Sequence, residues 1–189
     1  LLGMSTGTDG GNDEGGDILA SVEPPADEST ENTSTGTLTG SQFIAQTTSL
    51  SRPEREKAII QAISAGHVPS FIRNFAPVSL TYKGPSGKEH KATVRVSPDY
   101  VAIGTNEDFV RMPMAAPTAQ IVAEMFGCTL PRAKLVDAIW KQAKYKLRPR
   151  PLPPTSQMMS NEWYKKANEL VNEEMGDRPL GPLTAGDKK

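Results

Sequence analysis

The first forty positions of this 189-residue chain hold eight carboxylates and no lysine, arginine or aromatic residue. The acids are Asp9, Asp13, Glu14, Asp17, Glu23, Asp27, Glu28 and Glu31. A segment this polar, carrying half of the sixteen glycines, buries too little apolar surface to offset the entropy lost on ordering. Residues 1–40 are therefore expected to be a disordered acidic tether, with order beginning near Phe43, so that the core must come from residues 41–189. Charge divides at the same place. The whole chain is −1, and removing the tether's −8 leaves +7 on the rest. A surplus of that size invites comparison with binders of nucleic acid or other anionic polymers. No RNA-binding signature, zinc-finger spacing or basic-region heptad accompanies it, so nucleic acid is not the expected partner.

Beyond the tether the apolar periodicity switches twice. Ser51 and Glu54 form a capping box ahead of Ala58, Ile59, Ala62 and Ile63, one face of a helix that Gly66 can end. Pro69 can start a short second helix through Phe75. The period then drops to two: Val78, Leu80 and Tyr82, then Ala92, Val94 and Val96, predict a hairpin turned at Gly84–Gly87. Two further strands are predicted at Tyr100–Ile103 and Phe109–Met112. Helices return with Pro117 at a helix start, Leu135, Ile139 and Ala143 on one stripe, and Ser160 capping a last helix. The inner face of that helix is read as Trp163, Ala167, Leu170 and Val171. Residues 148–154 read as an extended proline-rich connector. The fold class this predicts is α+β: a small antiparallel sheet of three to five strands flanked by four or five helices. One core is expected, built from Ile59, Ile63, Val94, Val101, Ile103, Phe109, Val122, Phe126, Leu135, Ile139, Trp140 and Leu170.

The run Ser97-Pro98-Asp99-Tyr100-Val101-Ala102-Ile103-Gly104-Thr105-Asn106-Glu107-Asp108-Phe109-Val110-Arg111-Met112-Pro113 resembles an uncharacterised family of exported bacterial proteins. Gly66–Arg73 before it and Val136–Trp140 after it share the likeness, which covers roughly Gly40 to the end. The family phrase is P-D-Y-[LV]-A-I-G-x-[DN]-x-D-F-x-R-x-P. Arg132 departs from it, standing where members usually have Thr. The resemblance implies export to the periplasm, cell surface or medium, and implies that members continue past the point matching Lys189. On that basis residues 41–189 are expected to be an N-terminal portion, incomplete at its C-terminus. Asn32-Thr33-Ser34 adds a glycosylation sequon. No run of 18 apolar residues occurs, so no transmembrane segment is predicted.

Asp99, Glu107, Asp108 and Arg111 are the densest set of reactive side chains. Asp99, Asp108 and Arg111 are the catalytic candidates, because a carboxylate beside an arginine stays ionised and can orient a ligand. Turn chemistry explains the same residue types without a ligand: Asp99 follows Pro98, and Asn106–Asp108 suits an Asx turn. Arg148-Pro149-Arg150-Pro151-Leu152-Pro153-Pro154 fits an Arg-x-x-Pro-x-x-Pro ligand, making Arg148, Arg150, Pro151 and Pro154 the binding candidates. A stiff spacer explains them equally. The single cysteine, Cys128, and the two histidines, His67 and His90, form no metal motif and no recognisable nucleophile–base order; no metal or cofactor is expected. The expected function is an exported, non-enzymatic structural, assembly or ligand-binding domain on a tether. Its partner would be another protein chain or its own C-terminal continuation. Two alternatives stay open: the N-terminal part of a hydrolase-like enzyme whose catalytic groups lie mostly beyond Lys189, and binding of an anionic polymer by the basic domain.

Overall fold

The structure, a computed structural model, describes the strand Ser5–Gly7 and residues 36–186. The expected disorder of the rest of the tether and the sequon at Asn32 lie outside the described residues. Along the chain the elements are β1 (Ser5–Gly7), α1 (Gly40–Thr47), α2 (Arg52–Ser64), a 3₁₀ turn (Ser70–Arg73), β2 (Ala76–Lys83), β3 (Glu89–Val96), β4 (Ala102–Gly104) and β5 (Phe109–Arg111). They continue with α3 (Ala116–Met125), α4 (Ala133–Gln142), β6 (Tyr145–Leu147), α5 (Asn161–Met175) and β7 (Thr184–Gly186). Helices flank small sheets, and the class is α+β as the periodicity predicts.

The strands do not join into one sheet. Among the described residues they form an antiparallel sheet in the order β1-β3-β2, an antiparallel ribbon β4-β5, and a parallel pair β6-β7. The reason lies in strand length. β4 and β5 have three residues each, too few to extend the eight-residue β2–β3 hairpin, and helices occupy the space beside them. β7 was not anticipated, because Thr184-Ala185-Gly186 has no alternation to betray it.

The core is correspondingly double. One cluster gathers Phe43 and Ile44 of α1, Ile59 and Ile63 of α2, Phe71 and Ile72, Val101, Ile103, Val110, Met112, Val122 and Tyr164. The other is Val78, Val94 and Val96 against Leu135, Ile139 and Ala143 of α4, closed by Leu183 and Ala185. The single core expected from the sequence is thus two, and Leu170 belongs to neither. The hairpin reads as predicted, with Val78 opposite Val94 and Ala76 opposite Val96. Its apolar face lies on α4, while Pro77, Ser79, Thr81 and Lys83 stand on the other face with Arg95, Thr93, Lys91 and Glu89.

Two helices differ from expectation. α1 carries few apolar residues, Phe43 and Ile44 being the largest buried ones, so its pattern is faint. Leu38 packs against the first core and Thr39 caps α1 through a capping box with Gln42, so ordered chain begins ahead of Phe43. In α5 the buried stripe is Asn161, Tyr164, Asn168 and Met175, not Trp163, Ala167, Leu170 and Val171. The helix is rotated to bring asparagines inward, Asn168 onto the edge of β5 and Asn161 onto the Thr47 hydroxyl and Ile44 carbonyl of α1.

Candidate functional site

The β4-β5 ribbon is registered with Ala102 opposite Arg111 and Gly104 opposite Phe109. Asp99, just ahead of β4, and Arg111, at the end of β5, therefore meet on one side. The guanidinium clamps the carboxylate from two nitrogens: Nη2 to Oδ2 at 2.7 Å, and Nε to Oδ2 and Oδ1 at 3.1 and 3.2 Å. Asp99 is 6 % exposed and Arg111 7 %, so this is a buried pair and the fork–fork geometry matters.

Further hydrogen bonds from the protein hold both residues in place. Tyr100 N–H donates to Asp99 Oδ1 at 2.7 Å, and Ser97 Oγ donates to the Asp99 carbonyl at 2.9 Å. Arg111 Nη1 donates to Asn168 Oδ1 at 3.1 Å and to Asn172 Oδ1 at 2.7 Å. Asn168 also accepts from the Arg111 backbone N–H at 3.1 Å and donates to the Phe109 carbonyl at 3.0 Å. Its carboxamide thereby pairs with the free edge of β5 as a neighbouring strand would. The guanidinium stacks 5.0 Å from the centroid of the Phe109 ring. No histidine or cysteine is among these partners.

Asp108 is held elsewhere, at the start of α1. Its Oδ1 accepts from Ser41 N and Ser41 Oγ, each at 3.1 Å, and its carbonyl accepts from Gly40 N at 2.8 Å. With Thr39 Oγ1 accepting from Gln42 N, the first three N–H groups of α1 are satisfied, as a helix start requires. Gly104 makes the approach possible: at φ +131°, a Cβ there would overlap the Asp108 carbonyl and Gly40 N. The three catalytic candidates thus serve two different places. Asp99 and Arg111 are brought together; Asp108 ties the ribbon to α1.

Two concavities flank the pair. A polar cleft of about 200 Å³ lies beside α1, with Glu107, Asp108, Lys165, Glu169 and Asn172 on its walls. An apolar groove of about 340 Å³ runs between β5 and α5, walled by Tyr100, Met112, Pro113, Tyr164, Ala167 and Val171, with Arg111 and Asn168 also lining it. Tyr100 is 42 % exposed, but its hydroxyl end meets the Gly186 backbone N–H. Burial of that end, then the nearby Asp99 charge, push its pKa above the ordinary value of 10.

The proline-rich candidates fold back on α5. Arg148 N–H donates to Glu174 Oε1 at 2.9 Å, and Arg150 Nη1 reaches Glu173 Oε2 at 2.9 Å and the Leu170 carbonyl at 3.1 Å. The Arg148 amide, then its side chain, hold the Glu174 carboxyl below its usual range. Pro151 and Pro154 are exposed in extended chain, so this stretch is fastened at its arginines and free at its prolines. His90 stacks on Tyr82, with ring centroids 6.3 Å apart. His67 is half-buried, and its carbonyl accepts from Gly104 N at 3.1 Å. Cys128 Sγ lies 3.1 Å from the Phe126 carbonyl. Among the described residues no group of three or more His, Cys, Asp or Glu side chains is placed to hold a metal ion, and no helix is long and apolar enough to cross a membrane.

Sequence reasoning missed Asn161, Asn168, Asn172 and Gln142. A signal existed for the first two. Asn161, Tyr164, Asn168 and Met175 fall at a, d, a and a positions of a heptad, a stripe that apolar counting overlooks. Compared with family models, curated proteins and solved structures, the chain matches none.

Proposed function

We propose that this chain is a non-enzymatic assembly domain that holds a partner protein in the groove between β5 and α5. The state of the Asp99–Arg111 pair beneath that groove carries the reading. Its charges cancel, and its oxygens and nitrogens are engaged by Tyr100, Asn168 and Asn172, so no acid, base or nucleophile stands ready there. The groove wall is instead tyrosine, methionine, proline and aliphatic surface, the composition favoured where proteins meet. Its volume suits one or two apolar side chains of the partner. An exported setting is part of the proposal and rests on the motif resemblance; the acidic N-terminal segment would then be the tether.

Ala167 is exposed on the groove wall, so Ala167→Arg fills the groove without disturbing the core. The full chain should bind the fluorescent dye anilinonaphthalene sulfonate saturably, and Ala167→Arg should weaken that binding at least tenfold with an unchanged melting temperature. Dye binding indifferent to the substitution would remove the groove from consideration. A hydrolytic activity of the full chain lost in a folded Asp99→Asn variant would favour the enzyme alternative.

A further inference from the structure

The proline-rich stretch between β6 and α5 lies outside the groove, and its backbone is set by its own sequence. From Arg148 to Pro154 every residue is a proline or precedes one. Proline fixes its own φ at about −65°, and its ring disfavours the helical region for the residue before it. The run is therefore held in polyproline II conformation with no help from a helix or sheet, and it belongs to neither. That conformation has about three residues per turn, so the side chains fall on separate edges. One edge holds Pro149 and Leu152, another Arg150 and Pro153, and the last Arg148, Pro151 and Pro154. The fold uses the first two. Leu152 is half-buried, and Arg150 donates to Glu173 and to the Leu170 carbonyl of α5. The last edge faces out. Pro151 and Pro154 are exposed, and the Arg148 side chain is 88 % exposed. Arg148 is held by its backbone N–H, 2.9 Å from Glu174 Oε1; its Nε lies 3.5 Å from the same oxygen, a long and weak contact.

We propose that the edge of Arg148, Pro151 and Pro154 is a recognition ligand for a second protein, one whose docking site is an aromatic-lined groove rimmed with carboxylates. Such grooves take exposed prolines as a rigid apolar ridge. An arginine at the end of the ridge fixes the direction in which it lies, by pairing with an acid beside the groove. A ridge already formed loses little entropy on docking. Here the fold adds to that preparation. The bonds from the Arg148 amide and the Arg150 side chain to α5 fasten the base of the ridge, so its free edge is held outward. Charge selects the partner's rim. Lys144 and Lys146, exposed just ahead of Arg148, extend the positive field along the approach, which favours an acidic rim and repels a basic one.

The test uses the full chain and a panel of purified, isotope-labelled SH3 domains that accept Arg-x-x-Pro-x-x-Pro peptides. At least one should bind the chain saturably, with the shifted amide signals confined to its aromatic groove. Pro151→Ala together with Pro154→Ala should weaken that binding at least tenfold. Arg148→Glu, which keeps the backbone N–H to Glu174 and touches no proline, should do the same. Both variants should stay folded, with melting temperatures close to that of the natural chain, because the altered side chains are exposed. No binding by any domain of the panel overturns the proposal, and so does binding indifferent to both variants. A free peptide of residues 146–156 that binds where the full chain does not overturns it too, since α5 would then be masking the ridge. Retention on heparin that is lost with Arg148→Glu, with no SH3 domain bound, would overturn it in favour of an anionic polymer. The ridge rests on Leu170, Glu173 and Glu174, whereas the groove is walled by Tyr164, Ala167 and Val171. Ala167→Arg should therefore leave SH3 binding intact, and its effect on dye binding tests the groove reading separately.

Discussion

The two cores of this molecule are held together by different physics. The one between the β2–β3 hairpin and α4 is almost wholly apolar: Val78, Val94 and Val96 meet Leu135, Ile139 and Ala143, and Gln142 seals the hairpin edge from outside through two hydrogen bonds with the Ser79 backbone. The one around β4, β5, α1, α2 and α5 has apolar residues too, but its elements are joined by buried polar groups. Asp99, Arg111 and Asn168 link the ribbon to α5. Asn161 donates to Thr47 Oγ1 and the Ile44 carbonyl, linking α5 to α1. Arg55, buried in α2, donates to the Met159 carbonyl at 2.7 Å and lies over the Tyr164 ring. Short, irregular elements lack the continuous apolar face that lets long ones find each other, and directional bonds take over the positioning.

That contrast is open to attack, and the strongest blow falls on the polar core. Arg111→Ala leaves the Asp99 carboxylate buried without its partner and should cost about 3–5 kcal/mol, seen as a large fall in denaturation midpoint. Replacing both residues together, Asp99→Leu with Arg111→Met, should cost markedly less than the sum of the single changes; simple additivity would mean the pair does not position the ribbon. In the apolar core, Ile139→Ala should cost about 2–5 kcal/mol, with no such coupling to any polar neighbour. Gln142→Ala removes two hydrogen bonds at an exposed edge and should cost about 1 kcal/mol, with a second consequence: the opened edge of β2 should raise the tendency to associate. An association state identical to that of the natural chain at high concentration would show that Pro77, with no N–H to offer, alone protects that edge.

The same contrast explains what could be read in advance. The hairpin, α2 and α4 were legible, because period-two and helical stripes of Val, Ile and Leu announce themselves whenever a core is apolar. The approach of Asp99 to Arg111 was legible as well, since both sit close to a strand–turn–strand unit too short to separate them. What escaped was the polar side of the architecture. α1 has a capping box at Thr39 and Gln42 but little hydrophobic pattern, so the sequence places the start of order there, near Phe43, without marking a helix. The expected inner face of α5, Trp163, Ala167, Leu170 and Val171, is off by a rotation because apolar counting passes over Asn161 and Asn168. The chain carries no local mark that Asn168 will find the Phe109 carbonyl 59 residues away; that contact exists only once β5 has an edge to cover.

Tyr100 offers the smallest effect and the most selective probe, since it stands at the groove, next to Asp99 and against β7. Burial first, and then the Asp99 charge, disfavour its phenolate, so its folded pKa lies above its unfolded value near 10. For a group raised on folding, the neutral form is the one the fold accommodates. Its contribution to stability is fully present below pH 10 and fades as pH rises through the folded pKa. The natural chain should therefore lose stability above about pH 10 more steeply than a Tyr100→Phe variant, which has no proton to lose. Ultraviolet titration of the natural chain should show a late tyrosine ionisation that the Tyr100→Phe variant lacks. The apolar core sets the contrast: its stability should be indifferent over the same interval, so amide exchange in β2 and β3 should quicken less than in β4 and β5. Equal acceleration in both regions would mean that the two cores open as a single unit, and that the polar links around Arg111 carry strain across the whole molecule.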